Sequence, residues 1–431
     1  MLDIQYVRDN PELVKQKSIQ KNIQVDVDKL LALDAEIKSI QQNLESLRNQ
    51  RNLLNGQISS KPNQEEIDKA TEIKNKVIDL EKKIEPLNLE YNKILKSIPN
   101  MPLDDVPQGA SEADNVVVKK VGEIKKLDFV PKNHWELSFA DASIDKVRAA
   151  KIAGSRFVYI KGSLVELQFA IIQWTMHQLA DERVIEKLIQ ENNLKLVSKP
   201  FIPILPPALI NTKAYEATTR LDAEETTYKL SDDELWLNAS AEHSLCNMYM
   251  DEIVDEKVLP IRYLGYATSF RREAGTYGKD TEGTIRMHQF DKLEMEIFST
   301  PETGLDEHKL AIAVDEYLVK QLDLPYQLLQ KCIGEIGKPN ARGVDIEVWF
   351  PGQQKYRETH TADYMTDYQA RSLRTRLRRQ NGSVEYLHTN DATAFAFPRL
   401  LAAIMENYQT EDGHVIVPLV LRPYMNNKDQ V

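Results

Sequence analysis

Apolar residues recur at alternating steps of three and four positions along two stretches of the first hundred residues. One such seam runs from Leu30 to Ile58, interrupted only by Arg51, and the second runs from Ala70 to Ile98. This period is typical of coiled-coil helices. The residues between the seams, 59–63, contain a proline and small polar side chains that end one helix and begin the next. The pattern therefore predicts an antiparallel helical hairpin over about residues 28–98.

Prolines and small residues mark the limits of this region. Asn10 before Pro11 predicts the N-cap and first turn of a short helix. Pro86 falls inside the second seam, and because the apolar register continues on both sides of it we expect one continuous but bent helix. A stretch rich in proline follows the second seam. We therefore divide the chain into an N-terminal domain, a linker and a C-terminal domain, at residues 1–100, 101–115 and 116–431.

The remainder of the chain mixes helical and strand-like patterns, which predicts an α+β fold. Helical periodicity covers residues 141–152 and a long amphipathic stretch from Leu164 to Asn192. The run Phe201–Pro207 alternates apolar residues with prolines, which suit only edge or terminal positions of a sheet. Two strand-like runs then flank a loop typical of an antiparallel hairpin with a long tip, which contains Gly275, Gly278 and Gly283.

This hairpin carries polar side chains that suit a nucleotide site. Alternation along a strand puts Arg271 with Glu273 on one face, and Arg286, Phe290 and Glu294 on another. Guanidinium groups bind phosphate, an aromatic ring stacks on a base, and carboxylates bind amines. A salt-bridged sheet surface that faces solvent would contain the same residue types. The hairpin alone therefore leaves both interpretations open.

A third candidate element lies nearer the C-terminus. Residues 357–361, Arg-Glu-Thr-His-Thr, offer a carboxylate for Mg²⁺ and hydroxyls for phosphate or substrate. Ala394 and Ala396 are small enough to permit close approach of a ligand, and Arg399 stands near the start of a helical run. A buried arginine paired with a carboxylate is the alternative interpretation of Arg399.

Composition narrows the class of protein. The chain has 431 residues, enough for a catalytic domain and an appended module, and its net charge of −11 argues against indiscriminate coating of nucleic acid. No apolar run approaches the ~18 residues of a membrane span, and the N-terminus lacks the features of a secretory signal. We therefore expect a cytoplasmic protein without a membrane partner. Its two cysteines, Cys246 and Cys332, are expected to be free thiols.

Charge does not identify the helical hairpin as a nucleic-acid binder. Residues 28–99 carry 12 basic and 12 acidic side chains. Most coiled coils of this size act in dimerisation or as spacers, and the heptad period is the same in either case. The role of the hairpin therefore stays open on these grounds.

Several segments resemble the bacterial seryl-tRNA synthetases, a family of class II aminoacyl-tRNA synthetases. FRREAGTYGKD and GTIRMHQFDKLEM resemble their motif 2, YRETHTADYMTDYQARSLRTR and FAFPRLLAAIMENYQTEDG resemble their motif 3 region, and Pro206 stands at the motif 1 position. The likeness spans nearly the whole chain. It implies an antiparallel-sheet catalytic domain and an N-terminal coiled-coil arm that binds tRNA.

The resemblance also implies roles for individual residues. Phe290 and Arg399 are implied to sandwich adenine, and Glu358 to hold Mg²⁺ together with the ATP phosphates. The residues implied to bind ATP are Arg271, Arg272, Glu273, Met287, Phe290, Glu358, Thr359, His360, Thr361 and Arg399, of which Arg271, Glu358 and Arg399 are implied to be catalytic. Those implied to bind serine are Ser240, Ala241, Glu242, Arg286, Glu294 and Thr393.

Three positions depart from the usual pattern of the family. Ser240 replaces threonine and keeps the hydroxyl, Thr361-Ala362-Asp363 stands where Ser-Cys-Ser is frequent, and Asp391 stands where asparagine is usual. These departures bear on the shape of the serine pocket. An aspartate at position 391 calls for a hydrogen-bond donor that the sequence does not name.

The resemblance implies that ATP, with Mg²⁺, activates L-serine to seryl-adenylate, which then charges tRNA(Ser) and also tRNA(Sec). The family is a homodimer, and the same is expected here. An altered paralogue is the alternative. An amino-acid:carrier-protein ligase would lack the long arm and use a zinc-bound pocket, whereas a non-catalytic coiled-coil binding protein would lack residues of the set Arg271, Glu294, Glu358 and Arg399, all of which are present.

Overall fold

The computed structural model describes residues 1–57, 63–137, 143–220, 227–273 and 283–431. These residues divide into two compact units, 1–101 and 102–431. Most of the predicted turn between the two seams, and Gly275 and Gly278 of the predicted hairpin loop, lie outside the described residues.

The first unit contains the predicted helical hairpin, preceded by two short helices. Its helices are α1 (Ile4–Asp9), α2 (Pro11–Gln20), α3 (Val27–Gln57) and α4 (Gln64–Ser97). The two long helices pack along the predicted seams, with Ile40, Leu44 and Val77 buried between them. Helices of 31 and 34 residues are about 46 and 51 Å long. The predicted coiled-coil hairpin is therefore confirmed.

The caps and the proline of this unit follow from local chemistry. Asn63 begins α4 with a capping box, since its Oδ1 accepts from Glu66 N at 2.9 Å and its own N donates to the Glu66 carboxylate at 2.8 Å. Helix α4 continues through Pro86, as predicted, because the flanking seam residues stay packed against α3. The prediction for Asn10 is wrong in one respect: α2 begins at Pro11, but the Asn10 amide donates to Tyr6 O at 3.1 Å instead of capping.

The second unit is built from strands and helices in mixed order. Its described strands are β1 (Val116–Val121), β2 (Ile144–Asp145), β3 (Tyr159–Ile160), β4 (Ile202–Ile204), β5 (Leu209–Asn211), β6 (Leu235–Leu237), β7 (Ile253–Asp255), β8 (Ile261–Phe270), β9 (Gln289–Ser299), β10 (Tyr326–Gln330), β11 (Arg342–Phe350), β12 (Lys355–Thr366), β13 (Arg376–Arg378), β14 (Val384–Tyr386) and β15 (His388–Ala396). Its described helices are α5 (Lys146–Ala153), α6 (Ser163–Leu179), α7 (Glu182–Glu191), α8 (Thr212–Ala217), α9 (Ala241–Leu245), α10 (Gly304–Gln321), α11 (Tyr368–Leu373) and α12 (Phe397–Asn407).

Within the described part of this unit, eight strands form one large sheet in the order β1-β10-β11-β12-β15-β9-β8-β4. Every neighbouring pair is antiparallel except β4 and β8. Strand β4 contains Pro203 and lies at the edge, the position that the prolines predicted. The α+β, antiparallel-sheet prediction is therefore confirmed.

Alternation along the sheet separates an apolar face from a polar face. On β9, Leu293, Met295 and Ile297 belong to the main core, where they pack with residues of α6, α7, α10 and α12. The intervening residues of a strand point to the opposite face. That opposite face carries the polar groups of β9, β15 and β12 and is the floor of the site described below.

Two helix predictions for this unit need correction. The expected helix from Leu164 to Asn192 is two helices, α6 and α7, because Asp181 leaves the helical conformation and its carboxylate caps α7 by accepting from Arg183 N at 3.0 Å. The helix expected over 141–152 begins only at Lys146, where Asp145 is the N-cap and accepts from Arg148 N at 2.9 Å. Its predicted first residues, 141 and 142, lie outside the described residues.

Two further expectations concern the cysteines and the membrane. Cys246 and Cys332 are both buried free thiols, as expected. In the described ranges of the chain, no helix combines the length and the apolar character that a membrane span needs.

Candidate active site

A cavity of about 220 Å³ opens on the polar face of the sheet, beside the start of α12. The strands supply it because alternation on β9 directs Phe290 and Lys292 away from the core. Its lining combines cationic, acidic, hydroxyl and apolar side chains, namely Arg271, Glu273, Ile285, Arg286, Met287, Phe290, Lys292, Glu358, Thr359, Thr361, Thr393, Ala396, Pro398 and Arg399. The structure therefore brings together residues of the predicted hairpin and of the two C-terminal segments, 357–361 and 394–399, that the sequence singled out.

Cations and a ring lie close together in this cavity. The guanidinium carbon of Arg271 lies 5.2 Å from the centroid of the Phe290 ring, and its Nε donates to Ala239 O at 3.0 Å. Arg399 Nη1 lies 2.9 Å from Glu358 Oε1 and also donates to the Glu358 carbonyl at 2.9 Å. The Glu358 side chain remains 47 % exposed, so its carboxylate is accessible from the cavity.

Alternation along the hairpin predicted which face each polar residue points to, and this prediction is wrong for three of them. Strand β8 ends at Phe270 and β9 begins at Gln289, so Arg271, Glu273 and Arg286 lie beyond the paired strands, where the two-residue period no longer applies. Instead of pointing apart, Arg286 and Glu273 form an ion pair, with Nη1 and Oε2 2.6 Å apart. Glu273 itself has a φ of +51°.

Two residues implied to bind ATP lie away from the cavity lining. The guanidinium of Arg272 lies over the Tyr228 ring, 5.8 Å from its centroid. His360 is buried, its Nδ1 is 2.7 Å from Thr359 Oγ1, and its ring packs edge-on against Phe395. Burial lowers the pKa of His360 to about 3, so this imidazole is neutral. Alternation along β12 explains the position of His360, since it follows Thr359.

A second, larger cavity of about 460 Å³ adjoins the first and shares five lining residues with it. The shared residues are Arg271, Glu273, Arg286, Lys292 and Thr361. Its own lining includes Tyr215, Thr219, Arg220, Thr227, Ala239, Glu242, His243, Gly337, Lys338, Pro339, Asp363 and Asp391. The two cavities therefore meet at a cluster of charged groups.

Ser240, Glu294 and Thr393 form a hydrogen-bonded group next to Lys292, which lines both cavities. Ser240 Oγ donates to Glu294 Oε2 at 3.2 Å, and Thr393 Oγ1 donates to Glu294 Oε1 at 3.4 Å. Lys292 donates to Ser240 Oγ at 3.1 Å and forms an ion pair with Glu294. Ala241 is the first residue of α9 and is fully buried. Ser240, Ala241, Glu294 and Thr393, which are implied to bind serine, thus lie close together. Lys292, which was not among the predicted residues, contacts two of them.

Arg220 is the donor partner that Asp391 requires. Its Nη2 lies 2.5 Å from Asp391 Oδ2, and its Nε lies 2.7 Å from Glu242 Oε1. The Arg220 side chain is 17 % exposed, whereas those of Asp391 and Glu242 are 2 % and 8 % exposed. Arg220 therefore bridges two carboxylates. One is Asp391, which stands where the family usually has asparagine, and the other is Glu242, which is implied to bind serine.

The carboxylates of Glu242, Glu294 and Asp391 lie close enough that each offers an oxygen within 4.8 Å of the others. Burial raises the pKa of Glu294 and of Asp391, and mutual repulsion with neighbouring carboxylates adds to the effect. For Glu242 burial acts in the same direction, but Arg220 and His243 outweigh it and the pKa falls below its usual value. The cluster therefore holds less negative charge than three free carboxylates would.

Lys331 contacts two residues of the segment Thr361-Ala362-Asp363, the second departure from the family pattern. Its Nζ donates to Thr361 Oγ1 at 2.8 Å and lies 3.0 Å from Asp363 and 3.1 Å from Asp345. Burial lowers the pKa of Lys331, but Asp345 and Asp363 outweigh this and raise it above its ordinary value, so the amine stays charged. Thr361 and Asp363 are thus both held by Lys331, the residue that directly follows β10.

Three charged residues in or beside these cavities, Lys292, Arg220 and Lys331, were not predicted from the sequence. Lys292 could have been found, because it lies between Phe290 and Glu294 at the same two-residue spacing. The other two lie in segments without a recognisable motif, and only the fold brings them to the site.

Comparison with known proteins identifies the family. Residues 1–102 match the family described as the seryl-tRNA synthetase N-terminal domain, and residues 226–408 match the class II tRNA synthetase core domain (G, H, P, S and T). A serine–tRNA ligase of Symbiobacterium thermophilum is 38 % identical, with 98 % of each chain covered. The chain belongs to the seryl-tRNA synthetase family. The predictions of a class II aminoacyl-tRNA synthetase and of a serine–tRNA ligase are thereby confirmed.

Other relatives of this synthetase agree in sequence and in structure. A serine–tRNA ligase of Dictyoglomus turgidum is 37 % identical over 99 % of this chain and 98 % of its own. The crystal structure of seryl-tRNA synthetase from Pyrococcus horikoshii complexed with ATP has a TM-score of 0.87 and 34 % identity, with 100 % of this chain and 99 % of that chain covered. The cytoplasmic serine–tRNA ligase of Naegleria fowleri in complex with AMP has a TM-score of 0.83 and 25 % identity, with 100 % and 98 % covered.

Proposed function

We propose that this synthetase activates L-serine with ATP in the two adjoining cavities and transfers the seryl group to the 3′ end of tRNA(Ser). The observation that carries the proposal is the meeting of two kinds of site. One cavity combines Arg271, Phe290 and Arg399 for an anionic nucleotide, and its neighbour ends in a buried carboxylate cluster suited to an ammonium group. Activation of an amino acid requires both ligands side by side.

The ATP site is assigned to the smaller cavity. Arg271 would hold the α-phosphate and stabilise the charge that develops there when the serine carboxylate attacks the phosphorus. Phe290 and Arg399 would enclose the adenine ring. This reaction requires no protein nucleophile, so catalysis comes mainly from orientation of the two substrates and from charge stabilisation.

The residues present also fit a magnesium ion bound together with ATP. Mg²⁺ prefers one or two carboxylates together with phosphate oxygens and water. Glu358 meets that requirement, because its carboxylate is half-exposed in the cavity. The ion would offset the negative charge of the phosphates, while Arg399, already 2.9 Å from Glu358, would keep that carboxylate oriented.

The serine site is assigned to the carboxylate cluster. Glu242, Glu294 and Asp391 carry three potential negative charges against the two positive charges of Arg220 and Lys292. The serine ammonium supplies one further positive charge and makes the group neutral. Arg286 would bind the serine carboxylate, and Thr393 would face the hydroxyl, whose loss in alanine would leave polar groups unpaired.

The remaining assignments concern partners and location. We infer that the coiled-coil arm binds tRNA(Ser), that tRNA(Sec) is also a substrate, that the protein is a homodimer, and that it acts in the cytoplasm. These inferences are supported by membership of the family rather than by any contact within the chain.

The test is serine-dependent exchange of pyrophosphate into ATP, measured with each of the twenty amino acids. Serine alone is expected to support exchange. Arg271→Ala is expected to lose about a hundredfold to a thousandfold in kcat/KM, the scale of removing a group that stabilises transition-state charge. Arg183→Ala, a change of an exposed side chain of α7, is the matched control and keeps wild-type exchange. Near-normal exchange by Arg271→Ala would overturn the site assignment.

A further inference from the structure

A fully buried glutamate near the end of α12 joins separate segments of the C-terminal unit. The side chains of Glu406 and His134 are both 0 % exposed. Oε1 of Glu406 accepts from His134 N at 3.2 Å, from His134 Nδ1 at 2.8 Å and from Gln353 Nε2 at 3.1 Å. Its Oε2 accepts from Gly352 N at 3.0 Å. Four donors satisfy this buried carboxylate, and hydrogen bonds to a charged group are the strong ones.

The other ring nitrogen of His134 holds the chain where it leaves the hairpin loop. Thr284 N donates to His134 Nε2 at 3.1 Å. Because Nε2 accepts this bond, Nδ1 carries the hydrogen and donates to Glu406, so the ring is neutral and its tautomer is fixed. Gly283 has a φ of +69°, and a Cβ there would lie 2.0 Å from His134 Nε2. Backbone and ring therefore fit closely at this point.

From Thr284 the hydrogen bonds lead directly to the ATP cavity. Thr284 Oγ1 donates to Pro398 O at 3.0 Å, and Pro398 lies next to Arg399 in the cavity lining. The residues that follow Thr284, at positions 285–287, line the same cavity. A displacement of Thr284 would therefore move cavity residues on both sides of the adenine position.

A second branch of the network reaches the other wall of the cavity. Gln353 donates to Glu406, and its Oε1 accepts from Arg357 Nε at 2.9 Å. Arg357 immediately precedes Glu358, whose carboxylate contacts Arg399. The buried glutamate thus connects to the segments that carry both members of the Arg399–Glu358 pair.

We propose that His134 and Glu406 are positioning residues for the ATP cavity, which they act on through Thr284 and Gln353. Neither is among the residues that line the cavity. They set the separation between the end of the hairpin loop, the turn before Glu358 and the start of α12. The proposal rests on the proposed function, because it concerns the geometry of the same ATP site.

Two substitutions of His134 separate its two hydrogen bonds. The amide of an asparagine lies where histidine has Nδ1, so His134→Asn keeps a donor to Glu406 and loses the acceptor for Thr284 N. The amide of a glutamine reaches the position of Nε2, so His134→Gln keeps that acceptor and loses the bond to Glu406. Pyrophosphate exchange and thermal unfolding are measured for both.

Each variant is expected to be the more impaired one in a different measurement. In His134→Asn the KM for ATP rises about tenfold, the equivalent of one lost hydrogen bond, while the melting temperature stays the higher of the two. In His134→Gln the KM for ATP stays within about twofold of wild type, but the melting temperature is lower because Glu406 loses a buried donor. If the variant with the higher KM for ATP also has the lower melting temperature, the role is merely structural and the proposal is overturned. A wild-type protein without serine-dependent exchange would instead refute the proposed function.

A milder variant tests the second branch without touching the buried pair. Gln353→Ala removes the link between Glu406 and Arg357 at a partly exposed site, and we expect the KM for ATP to rise about threefold to tenfold. Lys355→Ala, an exposed change two residues away, is the control. If the two variants have the same KM for ATP, the positioning role of Glu406 towards Glu358 is refuted.

Discussion

Ion pairs are exposed in the helical hairpin and buried in the proposed active site. Across the hairpin, Arg48 pairs with Glu81 at 2.9 Å with both side chains about half exposed, at 53 % and 49 %. Such surface pairs contribute about 0–1 kcal/mol each, so the apolar seam carries the stability of the arm. In the site, Arg220 and Asp391 are 17 % and 2 % exposed, and unpairing a buried charge costs several kcal/mol. Ion pairs therefore contribute little to the stability of the arm, whereas breaking one in the site costs several kcal/mol.

The largest expected effect comes from truncating the arm. Lys83 Nζ lies 2.8 Å from Glu36 Oε1, so α3 and α4 face each other there, and excising residues 38–81 with a short Gly-Ser turn in their place rejoins them. We expect serine-dependent pyrophosphate exchange to stay at wild-type level and charging of tRNA(Ser) to fall by at least about a hundredfold, the loss of a few kcal/mol of binding.

A charge-swapped arm is the control for that truncation. Exchanging Lys83 for glutamate and Glu36 for lysine keeps the pair and the seam. It should behave like wild type. A loss of tRNA(Ser) charging that occurs only in the truncated protein then results from the shortened arm. Undiminished tRNA charging by the truncated protein would remove the assigned role of the arm.

Breaking the buried ion pair of the site is the next largest effect. Arg220→Ala leaves Asp391 and Glu242 without their shared cation, and we expect the KM for serine to rise about tenfold to a hundredfold with little change in the KM for ATP. Asp391→Asn removes one charge and leaves Arg220 on Glu242, so its effect should be smaller. The pyrophosphate exchange assay measures both constants.

Arg379 offers a matched control for Arg220. Its side chain is 16 % exposed and pairs with three carboxylates, Glu256, Glu302 and Glu385, at a surface outside both cavities. Arg379→Ala should lower the melting temperature without a change in either KM. An equal rise in the KM for serine in both arginine variants would mean that Arg220 acts only through stability.

The same contrast sets the limit of what sequence can predict. The period of the arm is local, so the hairpin and its seams follow from residues within one or two turns of each other. Alternation on β9 likewise predicts that Phe290 and Glu294 share a face. Arg220 and Asp391, by contrast, are 171 positions apart, and no local period relates them. The break between α6 and α7 was missed for a different reason: apolar periodicity continued past Asp181, whose capping carboxylate decided the conformation.

A smaller effect is expected in the pH dependence of serine binding. Burial raises the pKa of Glu294 and that of Asp391, which favours their protonated forms before serine binds. The serine ammonium favours the charged carboxylates and lowers their pKa, so binding should release protons and tighten as pH rises. Calorimetric titration in two buffers of different ionisation enthalpy measures the number released. Proton uptake on binding would contradict this reading of the cluster, and Asp391→Asn should release fewer protons than wild type.

A final effect, on stability rather than on activity, concerns Glu296, which is fully buried beside the cluster on β9. Neither of its carboxyl oxygens has a hydrogen-bond partner among the described residues. Burial raises its pKa well above the ordinary 4.5, and nearby Asp391 adds to this, so the folded protein binds a proton that the unfolded chain releases. A raised folded pKa gives stability that is present below the unfolded value and is lost as pH rises.

Glu296→Gln removes that titration while keeping the shape of the side chain. The variant and the wild type should have similar melting temperatures near pH 4, and the variant should become the more stable by up to about 1.4 kcal/mol for each pH unit above that value. Glu186→Gln, on the exposed face of α7, is the matched control, with no such trend. A stability gap that does not change between pH 4 and pH 8 would mean that Glu296 stays ionised. An ionised Glu296 would add a buried negative charge that Arg220 and Lys292 do not balance. The ion pairs described for the site would then not account for its net charge.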